Sequence, residues 1–335
     1  MQTYSMRIIV RLTLLLAALL GGGNAHASCG SALCSFNSNW NELGQTMSGW
    51  MFDLRYSYSM ADTLRSGLSK IVANPTDPAL AGVEVENRRT INQLVTATLD
   101  YNHDEHWGVS MQLPYVMRNH SHSIGDPNPA LVGYESFDAK AIGDIRLIGR
   151  YHWLPATFSD TTLGVKFGVK LPTGRRDFVI QQTSALPGEV TLQPGNGSTD
   201  LIVGAYWNRV EPGSAWNWFA QGSYEHSVHH LATFKPGDKV NVDLGTRYDI
   251  GHGFGALLQL NGLWLAEDKG PSAALTVGGV PSSGGSYYSL TPGLTYAATP
   301  ASQLYAVVQL PFYQHVNGEQ LTAGYALSGG MRLRF

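Results

Sequence analysis

From residue 50 to the last residue, apolar and polar side chains alternate one by one in short runs. The final run shows it most plainly: Leu321, Ala323, Tyr325, Leu327, Gly329, Met331, Leu333 and Phe335 share one parity, and Thr322, Ala326, Ser328, Gly330, Arg332 and Arg334 share the other. A period of two places the two sets on opposite faces of a β-strand. The same beat recurs over residues 50–60, 91–101, 107–115, 145–153, 163–171, 201–207, 216–224, 240–250, 254–264, 288–296, 304–312 and 321–335. In all of these runs the apolar parity carries no charge and tends to end in aromatics. A free, greasy edge strand of this kind is an aggregation hazard. In a closed barrel in lipid the apolar parity meets acyl chains and the polar parity a wet lumen. The pattern therefore predicts an all-β fold: a transmembrane antiparallel β-barrel of the even-numbered outer-membrane type, with 12 strands over residues 50–335. A soluble β-sandwich would put polar side chains on its outer faces.

The connections alternate in length. Residues 102–106, 154–160, 208–215, 251–253 and 297–302 are short and read as periplasmic turns. Residues 61–87, 119–141, 172–198, 226–237 and 266–286 are long, rich in Gly, Pro, Ser and Asn, and read as extracellular loops. On that side only residues 314–320 are short.

Before the barrel, Arg7 and Arg11 precede an apolar stretch over residues 12–20, three glycines and Ala25-His26-Ala27. This reads as a signal peptide over residues 1–27, its apolar core too short to span a bilayer. Residues 28–49 then form a periplasmic segment whose Cys29 and Cys34, the two cysteines of the chain, are expected to close a local disulfide in an oxidising compartment. Without Arg7 and Arg11 the chain keeps 20 basic against 25 acidic residues, which argues against a nucleic-acid partner. The expected partners are outer-membrane lipid, the barrel assembly machinery, which would read the terminal aromatic Phe335 as an assembly signal, and a small-molecule solute.

Several stretches carry a family resemblance: HWGVSMQLPYVMRNHSH over 106–122, GDIRLIGRYHW over 143–153, LGVKFGVKLPTG over 163–174, LQPGNGSTDLIVGAYW over 192–207 and YAVVQLPFYQHVNGEQL over 305–321. Together they resemble the outer-membrane transporter family labelled as a phenol-degradation (meta-pathway) protein. The resemblance covers nearly all of the barrel. It implies a channel or transporter in the outer membrane of a Gram-negative bacterium, and it is not an enzyme assignment.

The inward parity carries the charged chemistry: Asp53, Arg55, Asp100, Asp144, Arg146, Arg150, Lys166, Lys170, Asp200, Glu225, Asp243, Arg247, Asp249, Arg332 and Arg334. Their signs are mixed, unlike the single-sign rings of ion filters. They either pair across the interior to hold the barrel rigid or line a narrow polar constriction. Asp53 is expected to pair with Arg332 or Arg334 where the last strand meets the first. No cofactor is expected. No histidine spacing matches a zinc signature, and the loop histidines His120, His122, His226, His229 and His230 become metal candidates only if their two loops meet. His120, Ser121, His122 and Ser123 form the one dense Ser/His cluster, but no orienting carboxylate or amide stands beside them, so catalysis is not expected. The sequence thus predicts passive passage of small molecules. The competing expectation is a structural or partner-binding barrel without transport.

Overall fold

The computed structural model describes residues 48–153, 160–181, 189–210, 212–273 and 282–335. Residues 1–27, Cys29 and Cys34 lie outside the described residues, as does most of the turn at 154–160.

The alternating runs fold into antiparallel strands: β1 (Gly49–Gly67), β2 (Ser69–Lys70), β3 (Glu84–Asn102), β4 (Trp107–Ile124), β5 (Gly133–Ile142), β6 (Arg146–Trp153), β7 (Thr161–Lys170), β8 (Thr199–Val210), β9 (Trp216–His229), β10 (Lys239–Gly251), β11 (Phe254–Leu265), β12 (Gly285–Thr299) and β13 (Ser302–Arg334). The ladder runs β13-β12-β11-β10-β9-β8-β7-β6-β4-β3-β1, and a β13–β1 pairing closes it. β2 and β5 lie outside this circuit, paired to β1 and β4. Among the described residues no exposed sheet edge remains along the wall, which is the condition for crossing a bilayer with strands.

The circuit among the described residues has eleven strands, and the longest of them reconciles this with the expected twelve. β13 pairs with β12 through residues 302–316 and with β1 through residues 316–334. It also turns back on itself. The Arg334 amide donates to Ala301 O at 2.8 Å, and Gln314 Nε2 donates to Ala323 O at 2.9 Å. Gly318, at φ 60°, supplies the left-handed residue at the bend. β13 is therefore a hairpin and fills two places in the wall.

The outer face is apolar. Trp107, Val109, Met111, Leu147, Phe167, Val203, Leu244, Leu260, Leu294, Leu304 and Leu327 are all exposed. At the short-turn end aromatics form a belt: ring centroids of Trp50 and Tyr101 and of Trp107 and Tyr151 lie 4.7 Å apart, those of Phe254 and Tyr296 4.6 Å. A second group, with Trp264 and Tyr288 5.6 Å apart, lies towards the other end. Phe254 and Trp264 sit on one strand, ten residues apart. A tilted strand rising about 3.4 Å per residue separates them by roughly 25 Å along the membrane normal, the height of an outer-membrane apolar band.

Two loops are shorter than the sequence implied, because strands continue past the membrane band. β1 and β3 extend into the expected loop at 61–87, and β4 runs to Ile124, with β5 beside it, inside the expected loop at 119–141. Backbone hydrogen bonding does not stop where lipid stops. Polar residues then occupy both faces, so the alternation fades while the ladder goes on.

Candidate functional site: the lumen and its mouth

The inward parity places most of the expected lumen residues inside the barrel, and the structure shows what each meets. Arg150 on β6 and Asp100 on β3 form an ion pair at 2.7 Å with 1% and 2% of their side chains exposed. Asp53 on β1 faces Arg332 on β13, Nε to Oδ2 3.8 Å, and accepts hydrogen bonds from Tyr305 Oη at 3.0 and 3.1 Å. Higher up, Lys170 meets Asp200 at 2.6 Å and Asp144 at 3.6 Å, and Arg146 meets Glu225 at 2.9 Å. Lys166 donates to Gln221, whose amide donates to Asp243, both at 2.9 Å; Asn261 also donates to Asp243, at 2.6 Å. Most of these contacts join different strands of the wall, so the charges brace it.

Some expectations need correction. Asp144 does not lie on a strand face; it precedes β6, and its carboxylate accepts from the amides of Gly174 and Asn196 at 2.9 and 3.3 Å. Asp243 accepts from the side-chain amides of Gln221 and Asn261. Asp249 is exposed at a turn and accepts from Gly251 N at 2.9 Å. The interior is also less polar than expected: Phe219, Leu257, Tyr305 and Val307 meet inside the barrel. Gly245 makes room for them, since a Cβ there would lie 2.3 Å from the Phe219 ring.

A feature without periodicity, and so invisible to strand-pattern reasoning, is the fold of residues 189–197. This part of the long β7–β8 connection turns into the barrel. Leu192, 2% exposed, packs on Phe137 and Ala139. Thr191 O accepts from Arg118 Nη1 at 2.7 Å, and Asn196 Oδ1 accepts from Lys170 Nζ at 2.8 Å. Gln193 exchanges two hydrogen bonds with the backbone of Phe178, at 2.8 and 3.2 Å. Gly174 and Gly195 touch backbone to backbone; a Cβ on Gly195 would come within 2.6 Å of Gly174 O.

A cavity of about 360 Å³ lies under this infolded segment. Val190, Thr191, Gln193, Pro194 and Asn196 form one side, and Arg55, Arg118, Arg146, Lys166 and Lys170 are among the wall residues. Its lining holds six cationic side chains, with Lys239 the sixth, against Asp144, Asp200, Glu225 and Asp268. Burial pushes the Asp268 carboxyl above its ordinary value, although the Gly237 amide donates to it.

His120 and His122 are not in a loop. They lie on β4, with inward parity and both buried. Sequence reasoning missed their neighbours Glu84 and Glu86 on β3. Glu84 Oε1 lies 2.8 Å from His122 Nδ1, and Glu86 Oε1 3.7 Å from His120 Nε2. The register between β3 and β4 shifts between Val85 and Arg89 without changing parity, so both glutamates keep the inward, even parity of β3 and face the histidines. The two i, i+2 pairs, Glu84/Glu86 and His120/His122, were the signal available. Glu189, from the infolded segment, hydrogen-bonds Glu84, and burial together with the charges of Glu84 and Glu86 pushes its carboxyl well above the usual range. His226 stands elsewhere, 2.7 Å from Asp238, and His229 and His230 are exposed. The two histidine groups do not meet.

No protein-family model matches the chain, and a search of curated proteins finds no match. Among solved structures, the fold is similar to that of an outer membrane channel from Pseudomonas putida F1, with a TM-score of 0.63 at 15% identity, covering 86% of this chain and 96% of that one. The NanC porin gives 0.47 at 10% identity, covering 85% and 100%. The CymD monoaromatic hydrocarbon channel gives 0.44 at 13%, covering 90% and 94%. At these identities the likeness is one of fold.

Proposed function

We propose that this barrel is a passive channel or facilitator for small polar solutes in the outer membrane of a Gram-negative bacterium, with residues 189–197 as its constriction. The observation that carries the reading is the cavity beneath that segment: a chamber inside the wall lined by charged, amide and apolar side chains together, narrowed from one side by a loop that folds in rather than out. The excess of cationic side chains in its lining favours small anions over small cations. Passage needs no chemical step. A solute enters from the long-loop end, exchanges water for the lining amides and guanidiniums, and leaves past the Asp53, Asp100, Arg150 and Arg332 level. The family resemblance points the same way. The phenol-degradation label names a cargo that nothing in the lining selects, so the solute class rests on charge and size alone.

Planar-bilayer recording tests this. Wild type should give small, anion-preferring conductance steps. Arg118→Ala, which frees Thr191 O, should raise the conductance or the open fraction several-fold. A silent wild type together with a silent Arg118→Ala variant would favour the competing reading, a structural or partner-binding barrel.

A further inference from the structure

Glu84, Glu86, His120 and His122 come from two neighbouring strands, and each offers a ligand atom within 4.8 Å of every other. Both imidazoles are oriented from behind. Thr90 Oγ1 holds His120 Nδ1 at 2.8 Å, and Glu135 Oε2 holds His122 Nε2 at 3.3 Å. An ionised carboxylate can only accept, so Glu135 holds a proton on Nε2 of His122, and Glu84, 2.8 Å from Nδ1, holds a second one there that a cation would displace. Where the Thr90 hydroxyl accepts from His120 Nδ1–H, the lone pair of that ring is on Nε2. His122 Nδ1 and His120 Nε2 face each other at 3.0 Å, with Glu84 and Glu86 alongside. In the absence of an ion the proton on His122 Nδ1 lies between them, and a bound cation takes its place. Nitrogen ligands about 2.0–2.1 Å from a common Zn²⁺ stand roughly 2.9–3.4 Å apart. A hydrogen bond from a carboxylate or hydroxyl to the far nitrogen is also what metal-bound histidines commonly show.

We propose that Glu84, Glu86, His120 and His122 form a binding site for a divalent transition-metal ion, with Thr90 and Glu135 orienting the imidazoles. Mixed imidazole and carboxylate ligands suit Zn²⁺ and its first-row neighbours, whereas Ca²⁺ wants oxygen alone. The site sits on the inner wall beyond the membrane band, beside Glu189 of the infolded segment. A bound ion would neutralise part of a pocket that otherwise crowds several carboxylates together. The proposal does not depend on whether the barrel conducts.

The test uses full-length barrel refolded in detergent, stripped with chelator and titrated with ZnCl₂ in a calorimeter. One equivalent should bind with micromolar or tighter affinity, and CaCl₂ should not compete. His120→Gln with His122→Gln should weaken binding at least a hundredfold, and Glu135→Gln about tenfold. His226→Ala with His229→Ala should leave it unchanged. Heat-modifiable migration reports whether each variant is folded. Should the double histidine variant not fold, Glu86→Gln and the zinc-edge absorption spectrum of the wild type decide, because the spectrum must show imidazole scatterers. The proposal is overturned if wild type takes up no zinc at 100 μM (roughly a −5.5 kcal/mol threshold), if the histidine variant binds equally well, or if bound zinc shows no imidazole.

Discussion

Asp53 and Arg332 are register partners across the junction of the first and last strands, with Nε and Oδ2 3.8 Å apart. Asp53 is buried and Arg332 mostly so, and Tyr305 from the other half of the β13 hairpin donates to the same carboxylate. Three separate stretches of chain thus converge on one acidic group at the seam. Removing one member of a buried pair leaves the other charge unpaired, at a cost of about 3–5 kcal/mol. Asp100 and Arg150 stand closer, at 2.7 Å. Asp100→Ala should therefore destabilise the barrel more than Asp53→Ala, and both more than Asp62→Ala at an exposed position. Urea midpoints in lipid vesicles give the ranking. Equal midpoints for all three variants would mean that the ion pairs do not brace the wall.

Orientation is testable in intact cells. In a background with Cys29→Ser and Cys34→Ser, Val179→Cys marks the long-loop end and Glu105→Cys the short-turn end; both positions are exposed. A membrane-impermeant maleimide should label Val179→Cys only. Labelling of Glu105→Cys alone would invert the barrel.

Asp104 shapes the turn between β3 and β4. Its carboxylate accepts from the amides of Trp107 and His106, at 2.7 and 2.8 Å, and these hydrogen bonds hold its pKa below the ordinary 3.8. For a carboxyl with a lowered folded value, the stabilisation is present above 3.8 and disappears as the pH falls through the folded value. Asp104→Ala should lower stability at neutral pH. The gap between wild type and variant should close in acid, measured as unfolding midpoints from pH 7 downwards. A gap that stayed constant would mean the carboxylate charge is not the cause.

Phe335 is 71% exposed, yet its backbone is fixed: its amide donates to Trp50 O, and its carbonyl accepts from Trp50 N, both at 3.0 Å. The side chain therefore belongs to the aromatic belt, where rings prefer the membrane interface. Phe335→Asp should cut the yield of folded barrel several-fold on heat-modifiable gels, while Phe335→Tyr should be tolerated. An undiminished yield for Phe335→Asp would remove its role as an assembly signal.

The wall of the barrel was legible in the sequence because lipid imposes a strict chemistry on every second residue. From Leu304 to Phe312, or from Leu201 to Trp207, parity alone assigned the outer face. Asp53 and Arg332 could be matched because both chain ends of the barrel were in register with the same face. Legibility failed where lipid stopped acting. Past the membrane band, β4 carries His120 and His122 on strand backbone with polar neighbours on both sides, so it read as loop. Glu84 and Glu86 share the inward parity of β3, but they fell inside the stretch read as a long loop over residues 61–87. Residues 189–197 have no periodicity, and their burial depends on side chains from β4, β5 and β7 that are distant in sequence.

The β13 hairpin has a kinetic consequence. All other strand pairings in the circuit join consecutive wall strands, whereas the register of Met51 with Arg334 joins residues nearly the whole barrel apart. Closing a loop of that length costs on the order of 5 kcal/mol in chain entropy, and nothing repays it until the final stave is in place. Assembly therefore passes through an open, curling sheet with two sticky margins, and sealing it is the commitment step. A cell that makes this protein must shelter those margins until the ring closes.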